Sequence, residues 1–154
     1  MKRVLRLLAL LTLFAALAYG GALAWLVSQE TRLVFRADRP LGEGRPPFPF
    51  DQVDLARGDG ARQFAWVMQS DAGPDAPWVL YLHGNAATIA SRGNLARYGQ
   101  LRALGLNILA PEYRGYGGID GVPSEASLAA DARAAYDYLR RGRGVPAERI
   151  VVFG

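Results

Sequence analysis

The stretch Trp78-Val79-Leu80-Tyr81-Leu82-His83-Gly84-Asn85-Ala86 decides how this chain folds. Its first five residues are apolar without alternation, as a strand buried on both faces requires. The composition then changes abruptly to His83-Gly84-Asn85. A polar, glycine-containing loop at the carboxyl end of a buried strand is where open α/β sheets bind ligands. The pattern returns twice. Asn107 to Ala110 (NILA) runs into Pro111-Glu112-Tyr113-Arg114-Gly115-Tyr116-Gly117-Gly118, and Ile150 to Phe153 (IVVF) runs into Gly154.

Helical patterns separate these runs. Ala87 to Leu104 carries Leu95, Tyr98 and Leu101 at spacings of three, with Gly105 as a C-terminal cap. Ser124 to Arg141 places Leu128, Ala132, Ala135 and Leu139 on one face. Ser124 suits its N-cap and Glu125 its positive first turn, which leaves no need for a nucleophilic role at Ser124. Strand, helix, strand, helix, strand in that order implies right-handed crossovers and a mostly parallel sheet with helices on both faces. Upstream, Gln63 to Met68 reads as a strand and Gln52 to Leu55 as a weaker one. Asp71 to Pro77 reads as a turn cluster.

The N-terminus has a different character. Leu7 to Val27 is 21 residues without a charge, about 31 Å as a helix, close to a bilayer's hydrocarbon thickness. Lys2, Arg3 and Arg6 precede it, and Tyr19 and Trp25 lie toward its far end, where interfacial aromatics belong. Two possibilities stay open. One is a retained anchor with a cytoplasmic N-terminus. The other is a signal peptide cleaved after Ala22-Leu23-Ala24, a small-x-small sequence. Either carries the rest of the chain out of the cytoplasm, to the periplasm or another extracytoplasmic space. The expected domains are an anchor or signal segment over 1–27, an extended proline-bearing linker over 28–50, and an α/β domain over 51–154.

Composition narrows the function. The chain has no cysteine and one histidine, which excludes disulfides, thiolate chemistry and a multi-histidine metal site. Three of the net +4 charges are Lys2, Arg3 and Arg6, leaving 15 basic against 14 acidic residues elsewhere. A basic balance of that kind does not point to nucleic acid. The bilayer is the expected partner.

The three junctions YLHGNA, PEYRGYG with GVPSEASLAADARAAYDYL behind it, and RIVVFG together resemble the α/β-hydrolase superfamily. The resemblance covers about Leu33 to Gly154. It is nearest to the branch of membrane-anchored serine hydrolases with a serine-aminopeptidase-like domain, to which depalmitoylase-like proteins are related. It implies the N-terminal part of an α/β-hydrolase sheet behind one transmembrane helix. It also implies that His83-Gly84-Asn85 is an oxyanion-hole loop. Asn85 would supply the backbone N–H, Gly84 would permit close approach, and His83 would fix the loop by hydrogen bonds. Tyr113, Arg114 and Gly115 would line the substrate cleft, unless Arg114 instead pairs with a nearby carboxylate and the glycines make a tight turn. No metal and no cofactor are implied, since triad hydrolysis uses side chains and water.

In that family the nucleophile stands in Gly-x-Ser-x-Gly after the fifth strand. Gly154 matches the first glycine, the start of the nucleophile elbow, and the catalytic triad lies beyond it. None of Ser28, Ser70, Ser91, Ser124 and Ser127 has that context. The chain is therefore expected to be a fragment of a hydrolase for acyl ester, thioester or amide bonds. By itself it is expected to be inactive, with IVVF an unprotected apolar edge. A small acyl compound is the expected substrate of the full-length protein. The alternatives are a non-catalytic membrane-tethered binding module and a degenerate product.

Overall fold

The computed structural model describes every residue except Asp38 and Pro74. Asp38 of the expected linker and Pro74 of the expected turn therefore lie outside the described residues. The chain divides into two units, Met1–Val34 and Phe35–Gly154.

The first unit is helical. α1 spans Lys2–Ser28 and α2 spans Glu30–Val34. None of α1 is buried, and its mean hydropathy reaches 2.1 over a membrane-length window. By length and composition it could cross a bilayer, as an anchor or a signal sequence would.

The second unit is built on one five-stranded sheet in the order β1-β2-β4-β3-β5. β1 is Asp51–Ala56, β2 Arg62–Met68, β3 Trp78–Tyr81, β4 Asn107–Pro111 and β5 Ile150–Phe153. β3 pairs in parallel with β4 and β5, as alternation with helices implies. β1–β2 and β2–β4 are antiparallel, so the sheet as a whole is mixed. The parallel rule reaches only strands joined through helices, and β1, β2 and β3 are not.

α3 (Arg92–Ala103) and α4 (Glu125–Asp137) cover opposite faces. Tyr98 of α3 packs with Trp66, Met68, Val79, Tyr81 and Ile108. Ala135 of α4 and Leu139 beyond it pack with Val67, Trp78, Leu80 and Leu109. The single-spaced apolar runs of β3 and β4 thus feed two cores at once. β5 differs: Val151, Val152 and Phe153 are 54%, 58% and 39% exposed, and among the described residues β5 pairs with β3 alone.

Three expected boundaries move. α3 begins at Arg92, five residues after Ala87, because nearby backbone groups are committed elsewhere. The Ser91 N–H turns to the Thr88 carbonyl at 3.0 Å, in an i to i−3 bond, and the Asn94 side chain and the Tyr98 hydroxyl donate to the Thr88 and Ile89 carbonyls. α4 ends at Asp137 and continues as one wide turn, Tyr138–Gly142. At its start the Ser124 and Ser127 hydroxyls each accept the other's backbone N–H, a reciprocal capping box.

The third change is the largest. Among the described residues, 35–37 and 39–50 are not a free linker but a strap on the α3 side. Leu41, Phe48 and Phe50 pack against that core. Arg45 stands over the Trp66 ring at 5.6 Å, and Arg102 over Phe48 at 5.1 Å. A Cβ on Gly44 would lie 2.4 Å from the Ala90 carbonyl oxygen, so the strap and the backbone before α3 are in direct contact. Gly44→Ala is expected to lower stability by about 1–3 kcal/mol through overpacking. Urea unfolding checks this, and an unchanged midpoint would mean that the strap is loose.

Candidate functional site at the carboxyl edge of the sheet

β3 delivers His83 into a buried pocket. Its side chain is fully buried, and its Nε2 lies 2.7 Å from Oε1 of Glu112, which is also fully buried. Glu112 is the residue directly after β4. Its carboxylate also accepts the Tyr113 N–H at 3.2 Å and the Ile89 N–H at 3.1 Å. One carboxylate therefore ties together the loops after β3 and β4 and the turn before α3. The Tyr113 and Tyr116 rings wall the imidazole at 4.7 and 5.4 Å. A Cβ on Gly117 would fall 2.7 Å from the Glu112 side chain, and Gly117 sits at φ +58, so glycine is needed there twice over.

The other imidazole nitrogen aims the loop. His83 Nδ1 donates to the Gly84 carbonyl at 3.0 Å, since a carbonyl only accepts. That carbonyl and the Asn85 N–H belong to one planar peptide. Fixing the Gly84 oxygen therefore fixes the direction of the Asn85 amide, which points the opposite way. Gly84 and Asn85 are both exposed. Gly154, at the end of β5, abuts the base of the same loop. The Leu82 N–H donates to the Phe153 carbonyl at 2.8 Å, and a Cβ on Gly154 would lie 3.3 Å from the Leu82 oxygen. The fold thus sets Gly154 against Leu82, the residue from which the His83-Gly84-Asn85 loop departs.

The other candidate residues are arranged differently. Tyr113 is buried as a wall of the His83 pocket. Arg114 is folded onto Asp131 of α4, with Nη2 at 2.6 Å, Nε at 3.2 Å and its backbone N–H at 2.9 Å. That hydrogen bonding raises the guanidinium pKa above its ordinary value. Gly115, at φ +78, packs against Pro123. A cavity of about 460 Å³ does lie on this side, but Leu41, Arg62, Phe64 and Gly117 to Asp120 line it, not Tyr113, Arg114 or Gly115. The ion pair and the tight turn account for Arg114 and Gly115, and Arg114 also borders a smaller hollow with Arg57, Asp59 and Ala130.

Glu112 and Asp131 were not singled out in the sequence, although each breaks an apolar pattern. Glu112 follows a strand with no other charge, and Asp131 lies within the Leu128–Ala135 stripe of α4. Both are fully buried.

Glu112→Ala would leave His83 and two backbone N–H groups without their partner. It is expected to cost about 3–5 kcal/mol, read as a lower denaturation midpoint, with Glu112→Gln milder. A second expectation concerns alkali. Burial pushes the Tyr98 and Tyr113 phenols well above the ordinary tyrosine range. The unfolded chain ionises at about pH 10, so above that pH the folded state holds more protons. Stability should be fully present below that pH and be lost as pH rises beyond it. Tyr98→Phe should flatten the loss in thermal unfolding followed against pH.

Known proteins can be set beside this geometry. No family model matches the chain. It is 38% identical over 141 residues to an uncharacterized protein of Mycobacterium tuberculosis, Rv2307c, covering 90% of this chain and 50% of that one. It is 32% identical over 158 residues to the alpha/beta hydrolase domain-containing protein WAV2 of Arabidopsis thaliana, covering 94% and 51%. With bem46 of Schizosaccharomyces pombe the identity is 31% over 159 residues, covering 92% and 53%. The chain spans about half the length of the curated relatives it matches. Among solved structures, an alpha-beta hydrolase from Vibrio vulnificus aligns at TM-score 0.58 and 28% identity, over 67% of this chain and 34% of that one. A Pyrococcus furiosus esterase aligns at TM-score 0.63 and 23% identity, over 75% and 46%, a likeness of fold.

Proposed function

This chain belongs to the α/β-hydrolase superfamily, and from that premise we propose that it carries the oxyanion-hole part of a serine hydrolase for acyl ester, thioester or amide bonds. The observation that supports this most is that Gly154 abuts Leu82, at the base of the loop on which Asn85 follows the His83–Glu112 pair. Acyl transfer passes through a tetrahedral oxyanion, which needs preset donors. In this superfamily one donor is the backbone N–H of the residue after the nucleophile and another comes from the loop after the third strand. Asn85 stands in the second position, and Gly154 opens the elbow that carries the nucleophile. The triad belongs to the whole protein, and the 154-residue chain alone has no serine in that context.

The apolar helix is the membrane anchor in this proposal, and the domain lies on the extracytoplasmic side. The support is the basic start of the chain, Lys2, Arg3 and Arg6, with Arg6 directly beside the apolar run.

The test separates the Asn85 amide from its side chain. In the full-length protein, Asn85→Pro removes the N–H and is expected to lower kcat on a short-chain p-nitrophenyl ester by about 10²–10³. Asn85→Ala keeps the N–H and should retain most of the activity. Equal loss in both variants would contradict the backbone role. Turnover by the purified 154-residue chain, above a heat-killed control, would contradict the need for residues outside it.

A further inference from the structure

The peptide before Asn85 is pinned by His83. The peptide after it is pinned as well, by the strap. The Phe35 carbonyl accepts the Ala86 N–H at 3.1 Å and the Tyr116 hydroxyl at 2.6 Å. Tyr116 is 1% exposed, so its hydroxyl has little water to compete for it. Ala86 sits at φ +55, in the left-handed region that residues with a Cβ seldom adopt. Such a backbone persists only where its surroundings over-determine it. Farther along, the strap is stitched to the residues that follow Ala86. The Thr88 hydroxyl donates to the Leu41 carbonyl at 2.9 Å, and Gly44 abuts Ala90.

We propose that Tyr116 is a positioning residue for the oxyanion donor: through the Phe35 carbonyl it fixes the peptide that follows Asn85, while His83 fixes the one that precedes it. The two flanking planes together leave the Asn85 N–H one direction. The strap, read from sequence as linker, is then part of the catalytic edge. The inference rests on the serine-hydrolase proposal for its catalytic consequence, while the clasp itself rests on the hydrogen bonds above.

Tyr116→Phe removes the hydroxyl and keeps the ring beside His83. In the full-length protein it is expected to lower kcat on p-nitrophenyl butyrate about tenfold, with KM unchanged, because a donor that wanders loses part of its transition-state stabilisation. Binding of a boronic acid that mimics the tetrahedral oxyanion should weaken by the same factor. Hydrogen exchange of the Ala86 amide should speed up at least tenfold in the variant. Should Tyr116→Phe fail to fold, a backbone ester in place of the Asn85–Ala86 amide deletes the other donor to the Phe35 carbonyl, the Ala86 N–H, without touching the ring, and a kcat loss of the same order is expected. Unchanged kcat and boronate affinity, or a raised KM at constant kcat, would overturn the positioning role. A wild-type protein with no ester turnover and no labelling by a fluorophosphonate would instead overturn the hydrolase proposal. In that case amide exchange still decides the clasp, and an Ala86 rate unmoved by Tyr116→Phe would overturn it.

Discussion

The contact between His83 and Glu112 is the constraint on which the rest of the edge depends. Two side chains that water would solvate strongly are buried together, 29 positions apart in the chain. A buried polar network either is fully satisfied and rigid or is a liability. Here the carboxylate takes the imidazole and two backbone N–H groups, and the imidazole's other nitrogen takes a carbonyl. Even the Glu112 carbonyl is used, by the buried Gln63 amide at 3.0 Å. The bonds that stabilise the loops therefore also set the direction of the Asn85 amide, the donor proposed above.

The loop after β4 is held from both faces of the sheet. On the α3 side Glu112 binds the turn before that helix, and on the α4 side Arg114 binds Asp131. Arg57, with its side chain 4% exposed, adds a second contact to Asp131 at 3.4 Å. Gly115 and Gly117, just after these anchors, sit where a Cβ would collide with Pro123 and Glu112. A segment gripped on two sides in this way has little freedom left. Pre-organisation of that kind is what electrostatic stabilisation of an oxyanion requires, since donors that must reorganise during the reaction lose their advantage over water.

Much of the fold is legible because a strand suited to burial on both faces is a run without polar alternation. Trp78 to Leu82 and Asn107 to Ala110 carry no polar alternation, and their strands occupy the sheet interior. Ile150 to Phe153 carries the same mark yet is largely exposed, since composition records what a strand is suited to and not what covers it. Helix alternation says nothing of the β1–β2 half, where a short turn replaces the helix and a connection that short admits only antiparallel pairing of neighbouring strands. The strap was missed for a clearer reason. Four prolines in 40–49 speak for extended backbone, and extended backbone is equally able to lie against a core when Leu41, Phe48 and Phe50 punctuate it. At the site, His83, Gly84 and Asn85 were visible as a loop. Glu112 and Asp131 were not, because their meaning lies in partners 29 and 17 residues away, which no local pattern encodes.

A crystal structure of the full-length protein with a phosphonate bound covalently at its nucleophile would test the arrangement most directly. The phosphonyl oxygen that mimics the oxyanion should lie about 2.7–3.1 Å from the Asn85 backbone nitrogen. His83 should still bond Gly84 and Glu112. An oxyanion turned away from Asn85, or an Asn85 amide rotated out of the pocket while His83 and Glu112 remain paired, would contradict the central claim.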